Sequence, residues 1–146
     1  MQFTIFADGG SRGNPGPAGS GAVVRDEKGK IVAEISEFLG NTTNNVAEYT
    51  GILSALETLL SLLNAEGKDA SEASVIVKMD SMLVVKQMNG EYKIKHPNLT
   101  PLAARVNDLR TKFKSVSFAH VYREHNKEAD KLANLAMDRG MSRARN

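Results

Sequence analysis

Apolar side chains occupy both alternating faces of residues 3–7 (Phe3, Thr4, Ile5, Phe6, Ala7), the pattern of a central strand covered on both sides. Asp8 follows directly and opens a glycine-rich stretch, so an ionisable group stands at the mouth of a buried strand. An unpaired buried charge is costly, so this position calls for a cation or a set of donors. The plain alternative is a turn aspartate bonded to the backbone of Gly10. Residues 20–25 and 31–39 alternate as two further strands, joined by a polar turn at 26–30, and with the first strand they predict a meander. Val46, Tyr49, Leu53, Leu56, Leu60 and Leu63 then recur at helical spacing, which predicts a helix over 45–63. After a polar, acidic break, Val75, Ile76 and Val77 mark a buried strand over 74–79 that ends in Asp80.

The remaining pattern predicts a short helix over 81–89 stopped by Gly90 and a helix over 98–113 with Pro101 in its first turn. Between them lies the basic loop 92–97. A last strand over 115–121 precedes a helix over 126–137 closed by Gly140, with 141–146, carrying Arg143 and Arg145, as a frayed tail. The expected organisation is one domain over 1–140 plus that tail. The order of three strands, helix, strand, helices, strand, helix predicts an α/β fold with a five-stranded mixed sheet flanked by helices: an antiparallel three-strand meander plus two further strands reached by helical crossovers.

Sites in such sheets form at the carboxyl ends of strands, the position of both Asp8 and Asp80. If those strands are neighbours, the two carboxylates reach one metal ion, and their mutual repulsion then has a use. Glu48 and Asp130 each fall near the start of a helix and complete a set of four. Each also has a purely structural role open to it, as a capping partner of Asn45 or Asn126 or as a complement to the helix dipole.

Composition narrows the chemistry. With 146 residues and 41% hydrophobic content the chain is the size of one domain. It has no cysteine and three histidines (His96, His120, His125), so disulfides and thiolate metal sites are excluded and a metal would be held by oxygen. The formal charge of +2 is compatible with a polyanionic partner without requiring one. No uninterrupted apolar run reaches the roughly 18 residues of a bilayer span, and no signal-peptide pattern opens the chain. A soluble, cytoplasmic protein without a membrane partner is expected.

Four segments occur in this order: Asp8-Gly9-Gly10-Ser11-Arg12-Gly13-Asn14-Pro15-Gly16-Pro17, Thr42-Thr43-Asn44-Asn45-Val46-Ala47-Glu48, Met79-Asp80-Ser81, and Asn126-Lys127-Glu128-Ala129-Asp130-Lys131-Leu132-Ala133. Together they resemble type 1 ribonuclease H, and the likeness runs through nearly the whole chain. The resemblance implies a ribonuclease H-like fold and a metal-dependent endonuclease that cuts the RNA strand of RNA/DNA hybrids, leaving a 5′-phosphate and a 3′-hydroxyl. It makes Asp8, Glu48, Asp80 and Asp130 the catalytic, metal-binding acids. It also makes Asn14, Asn44 and Asn45 minor-groove contacts to 2′-hydroxyls and Thr43 a seat for a DNA phosphate. The same small polar residues serve equally as turn and cap chemistry.

Oxygen-only ligands suit Mg²⁺, with Mn²⁺ as a substitute, and two ions roughly 3.5–4 Å apart would clamp an in-line displacement by water on the phosphodiester. Three departures from the family pattern stand out. Met82 occupies a place where many relatives carry glutamine. The 90–99 segment is short beside relatives with a basic protrusion, leaving Lys93, Lys95 and His96, so affinity for the hybrid is expected to be modest and salt-dependent. The loop that carries a catalytic histidine in many relatives is short here, with His125 the candidate for proton shuttling and Arg123 and Glu124 alternatives for the same place. A monomer without an obligate protein partner is expected. The competing readings are a non-catalytic hybrid-binding module and a nuclease of the same fold with another duplex preference.

Overall fold

The computed structural model describes residues 1–144. Strands β1 (Gln2–Ser11), β2 (Gly16–Asp26) and β3 (Ile31–Thr42) form the antiparallel meander, and β4 (Ser74–Met79) and β5 (Ser115–His120) add to it in parallel. The sheet order is β3-β2-β1-β4-β5, which puts the doubly covered first strand at the centre. The fold is the mixed α/β arrangement that the pattern predicts.

Helix α1 (Asn44–Ala65) lies across β1 and β2 on one face, with α2 (Met82–Met88) and α3 (Thr100–Arg110) on the same side. Ile5, Ala7, Ala22 and Val24 of the sheet pack there against Tyr49, Ile52, Leu56 and Leu59 of α1. An 18-residue window of α1 has a mean hydropathy of 1.3, enough by length and composition to cross a membrane, yet half of it is buried inside the protein. Of the polar residues that break the apolar run, Glu57, Ser61 and Asn64 are exposed, whereas Glu48, Thr50, Ser54 and Thr58 are half-buried. Helix α4 (Lys127–Ala144) covers the opposite face over β2, β3 and β1.

Strands β2 and β3 run longer and α3 shorter than the sequence pattern predicts, and two further differences have direct physical reasons. First, β1 does not end at Asp8: its pairing with β2 continues through Ser11↔Ala18, whereas its pairing with β4 stops at Phe6↔Lys78. Asp8 thus lies two residues past the end of one ladder but within the strand. Second, Gly140 does not close the last helix. It lies inside α4, where any Cβ would overlap the Phe38 ring, so this glycine is a packing residue against β3. Residues 141–144 are accordingly helical, and Arg145 and Asn146 of the expected tail lie outside the described residues. Gly90, by contrast, follows α2 in the left-handed region at φ 77°, which is the stop read from the sequence.

Candidate active site

The parallel register that pairs Gln2 with Ser74 and Phe6 with Lys78 sets Asp8 opposite Asp80 when it is carried two residues further. The register of the sheet thus directs the two strand carboxylates toward each other. The two helix carboxylates arrive through glycines. At Gly9 a Cβ would overlap the backbone of Ala47 and Glu48, so the missing side chain lets α1 rest on β1 and carry Glu48 to the strand end. Across the ladder from Asp8 stands Gly21, where a Cβ would overlap the Ala129 carbonyl and the Ala133 amide. That contact lowers α4 onto β2 and brings Asp130 beside Asp8. All four carboxylates line one open cleft of 720 Å³.

Burial and proximity show in the acidity of Asp8 and Glu48. Burial first, then the charge of Asp80, pushes the Asp8 carboxyl up to about 8, with a hydrogen bond to Asp130 and its charge adding to the rise and the Gly9 amide opposing it. Burial likewise raises Glu48 to about 7, with the Ser81 hydroxyl opposing and the charge of Asp80 adding. The cation nearest to Asp80 is Arg123, whose Nε lies 3.8 Å from Asp80 Oδ2 on a side chain that is 83% exposed. Such a contact in solvent leaves most of the cluster's negative charge uncompensated.

A model of the family described as reverse transcriptase-like matches residues 6–136. The structure of LC11-RNase H1 in complex with an RNA/DNA hybrid superposes with a TM-score of 0.88 at 43% identity, covering 95% of this chain and 99% of that one. The chain belongs to the ribonuclease HI family. RNase H1 from Halobacterium salinarum superposes with a TM-score of 0.83 at 39% identity, covering 94% of this chain and 98% of that one. Among curated proteins, the bifunctional protein Rv2228c of Mycobacterium tuberculosis is 46% identical over 139 residues, which are 94% of this chain and 36% of that protein. This ribonuclease HI chain therefore spans little more than a third of the mycobacterial relatives it matches.

The donor set suits a divalent cation in type, being oxygen-only and over-rich in negative charge. Among the described residues, no three acidic or imidazole groups are gathered tightly enough to cage an ion by themselves. That openness fits magnesium, which takes one or two carboxylates and completes its shell with water and substrate phosphates. The residues that would hold it are Asp8, Asp80, Glu48 and Asp130.

The small polar residues read from the motifs have definite tasks. Thr43 caps α1, its Oγ1 accepting from the Val46 amide at 3.3 Å. Asn44 Oδ1 accepts from the Ser11 amide at 2.7 Å and the Ser11 hydroxyl at 3.0 Å, which leaves its NH₂ group free of that tie at the cleft wall. Asn14 Oδ1 in turn accepts from the Asn44 amide at 3.1 Å, and Asn45 lines the cleft beside them. These residues thus join the β1–β2 loop to the start of α1.

His125 is not brought to the acids. It closes a 3₁₀ turn (Arg123–His125) and lines a separate 140 Å³ hollow with Phe6, Glu124 and Lys127. With three residues per turn, positions 123 and 125 point in different directions, and here Arg123 takes the cleft side. Met82 is 48% exposed, outside the cleft lining. Lys93, Lys95 and His96 stand exposed in the α2–α3 loop, and His120 ends β5 with its ring edge-on to Tyr122. The sequence pattern missed Gly21 as a site residue and placed Asn126 only as a motif letter and a cap. Both act through contacts with segments distant in the chain, Gly21 with Ala129 and Ala133, and Asn126 with Ala7 and Asp80.

Proposed function

We propose that this chain is a divalent-metal-dependent endoribonuclease that hydrolyses the RNA strand of RNA/DNA hybrids and leaves 5′-phosphate and 3′-hydroxyl ends. The observation that carries the reading is the single open cleft lined by four carboxylates from two strands and two helices. Two Mg²⁺ ions, or Mn²⁺ in their place, would supply when bound an activated water and stabilisation of the charge developing on the leaving 3′ oxygen.

The chain's own residues do the positioning. Asp8 and Asp80 are held by the sheet, and Glu48 and Asp130 by helices whose backbones touch the strands, so the acids have little freedom to lose on reaction. Asn44, with its oxygen fixed by Ser11, offers N–H donors toward the 2′-hydroxyl side of an RNA strand, with Asn45 and Asn14 beside it. The Thr43 hydroxyl accepts from the Val46 amide and still has its own proton to donate to a phosphate oxygen. Arg123 sets a positive charge next to Asp80 where a phosphodiester would lie. All four acids come from one chain, so the catalyst is complete as a monomer and resides within residues 1–140.

The test is a set of duplexes of one sequence (RNA/DNA, RNA/RNA, DNA/DNA) offered with Mg²⁺ or Mn²⁺. The expected result is internal cutting of the RNA strand, fastest in the hybrid, with 5′-phosphate ends and the DNA duplex intact. Hybrid binding without cutting in either metal would leave a binding module. Faster cutting of the RNA duplex would leave a nuclease of this fold with another preference.

The placement of the two basic side chains of the 3₁₀ turn gives a second expectation. Arg123→Ala lowers kcat on the hybrid on the order of tenfold to a hundredfold, the loss of one charge-stabilising group at a reaction centre. His125→Ala leaves kcat within about twofold, and both variants keep their melting temperature because both side chains are exposed. Steady-state kinetics of the two variants check this, and a larger effect from His125 would return the assisting role to it.

A further inference from the structure

Beyond Phe6 and Lys78 the parallel ladder between β1 and β4 has no further rung, and the two strands pass on to Asp8 and Asp80 without backbone pairing. The side chain of Asn126 takes the place of that rung. Its Nδ2 donates to the Ala7 carbonyl of β1 at 2.9 Å and to Asp80 Oδ1 at 3.2 Å. One amide group therefore links the residue just before Asp8 to Asp80 itself.

The orientation of the amide follows from its partners, since a carbonyl and a carboxylate can only accept. Asn126 is 1% exposed, and among the described residues its Oδ1 has no hydrogen-bond partner. A buried acceptor left without a donor destabilises the fold. An asparagine at the start of a helix ordinarily turns its oxygen to an amide two or three residues on, which would remove that cost. Here only the backbone carbonyl of Asn126 serves α4, by accepting from the Asp130 amide at 3.1 Å. The side chain forgoes the cap and keeps its donors between the strands. Because the donation holds Asp80 by Oδ1, Oδ2 is the oxygen turned outward, on the side where Arg123 approaches.

We infer that Asn126 is a positioning residue that sets the separation of Asp8 and Asp80 and the orientation of the Asp80 carboxylate, and so governs how tightly the pair holds a divalent cation. Its kinetic consequence rests on the proposed hydrolysis, but its effect on cation binding does not.

The test uses Asn126→Leu, which keeps the branched shape and loses the donors without adding a charge, and Asn126→Ala, which loses shape and donors both. Mn²⁺ binding to the substrate-free protein is measured by titration calorimetry, and kcat and KM on the hybrid are measured below each variant's melting temperature. Both variants are expected to bind Mn²⁺ about 10–100-fold more weakly, the usual effect of removing a hydrogen bond to a metal-ligating group. The fall in kcat should be comparable, with KM for the hybrid within about twofold. Asn126→Leu supplies the answer if Asn126→Ala does not fold. A lowered melting temperature with Mn²⁺ affinity and kcat unchanged would overturn the inference and make Asn126 a packing residue. Weakened Mn²⁺ binding in a chain whose native form cuts no duplex would support the positioning role and overturn the hydrolysis.

Discussion

Asp8→Asn is expected to abolish hybrid cleavage, by about 10³-fold or more, and at the same time to stabilise the metal-free protein. The two effects have one origin. The carboxyl proposed to hold a cation is, without one, a buried acid facing Asp80 and Asp130, with its pKa pushed up to about 8. A group whose pKa is higher in the folded state than in the unfolded chain contributes stability that is fully present below the unfolded value. That contribution is lost as the pH rises through the folded value. For Asp8 the window runs from about 4 to about 8, and for Glu48, raised to about 7, it closes a unit earlier. In EDTA the native protein should therefore lose stability steadily from pH 4 to pH 8, and Asp8→Asn should flatten part of that slope. The two proteins should melt alike near pH 4, with the variant melting several degrees higher at pH 8. Saturating Mg²⁺ should reverse the order, because a cation that binds only the folded native site adds its binding energy to stability. Thermal melts across this pH range, with EDTA and with Mg²⁺, check all three statements. A variant less stable than the native protein at pH 8 in EDTA would contradict the charge crowding on which the site is built.

Gly9→Ala should be nearly as damaging to catalysis and far worse for the fold. The added Cβ would overlap main-chain atoms of Ala47 and Glu48, and main chain cannot swing aside as a flexible side-chain end can. Helix α1 must move off β1, which strains the contact and displaces Glu48 from the acid cluster. Overpacking of this kind costs about 3 kcal/mol, which corresponds to a melting temperature lower by roughly 10 °C for a domain of this size. A misplacement on the order of 1 Å at a catalytic group costs about a hundredfold in rate. Gly10→Ala is the internal control. A Cβ there meets only the Met137 Cε at 3.8 Å and the Asn44 Oδ1 at 3.9 Å, ordinary contacts, so that variant should stay close to the native protein in melting and in kcat. Equal behaviour of the two alanine variants would mean that α1 is not seated on β1 as described.

These two predictions also mark what could and could not be read along the chain. Asp8 and Asp80 stood out because each follows a run of β-forming apolar residues, a local signal that strand register turns into a spatial pair. Glu48 and Asp130 could be placed near helix starts by periodicity, but each had a capping role open to it. What decides their membership is the contact of α1 with Gly9 and of α4 with Gly21. A glycine within a strand carries no mark of which distant helix will lie on it. Gly140 misled for the same reason: its meaning is set by the Phe38 ring from β3 and not by its neighbours in α4. His125 attracted attention by chemistry, while the side of a short 3₁₀ turn on which a residue emerges depends on where the turn begins, which pattern alone does not fix. Asn126 was visible only as a motif letter, because its partners, Ala7 and Asp80, are 119 and 46 positions away.

The most direct test of the central claim is a hybrid duplex labelled on each strand, incubated with the native chain and with Asp8→Asn, in Mg²⁺ and in EDTA. The account predicts internal cuts confined to the RNA strand, present only for the native chain and only with the cation. Cutting that persists in EDTA or in Asp8→Asn, or cuts in the DNA strand, would contradict it.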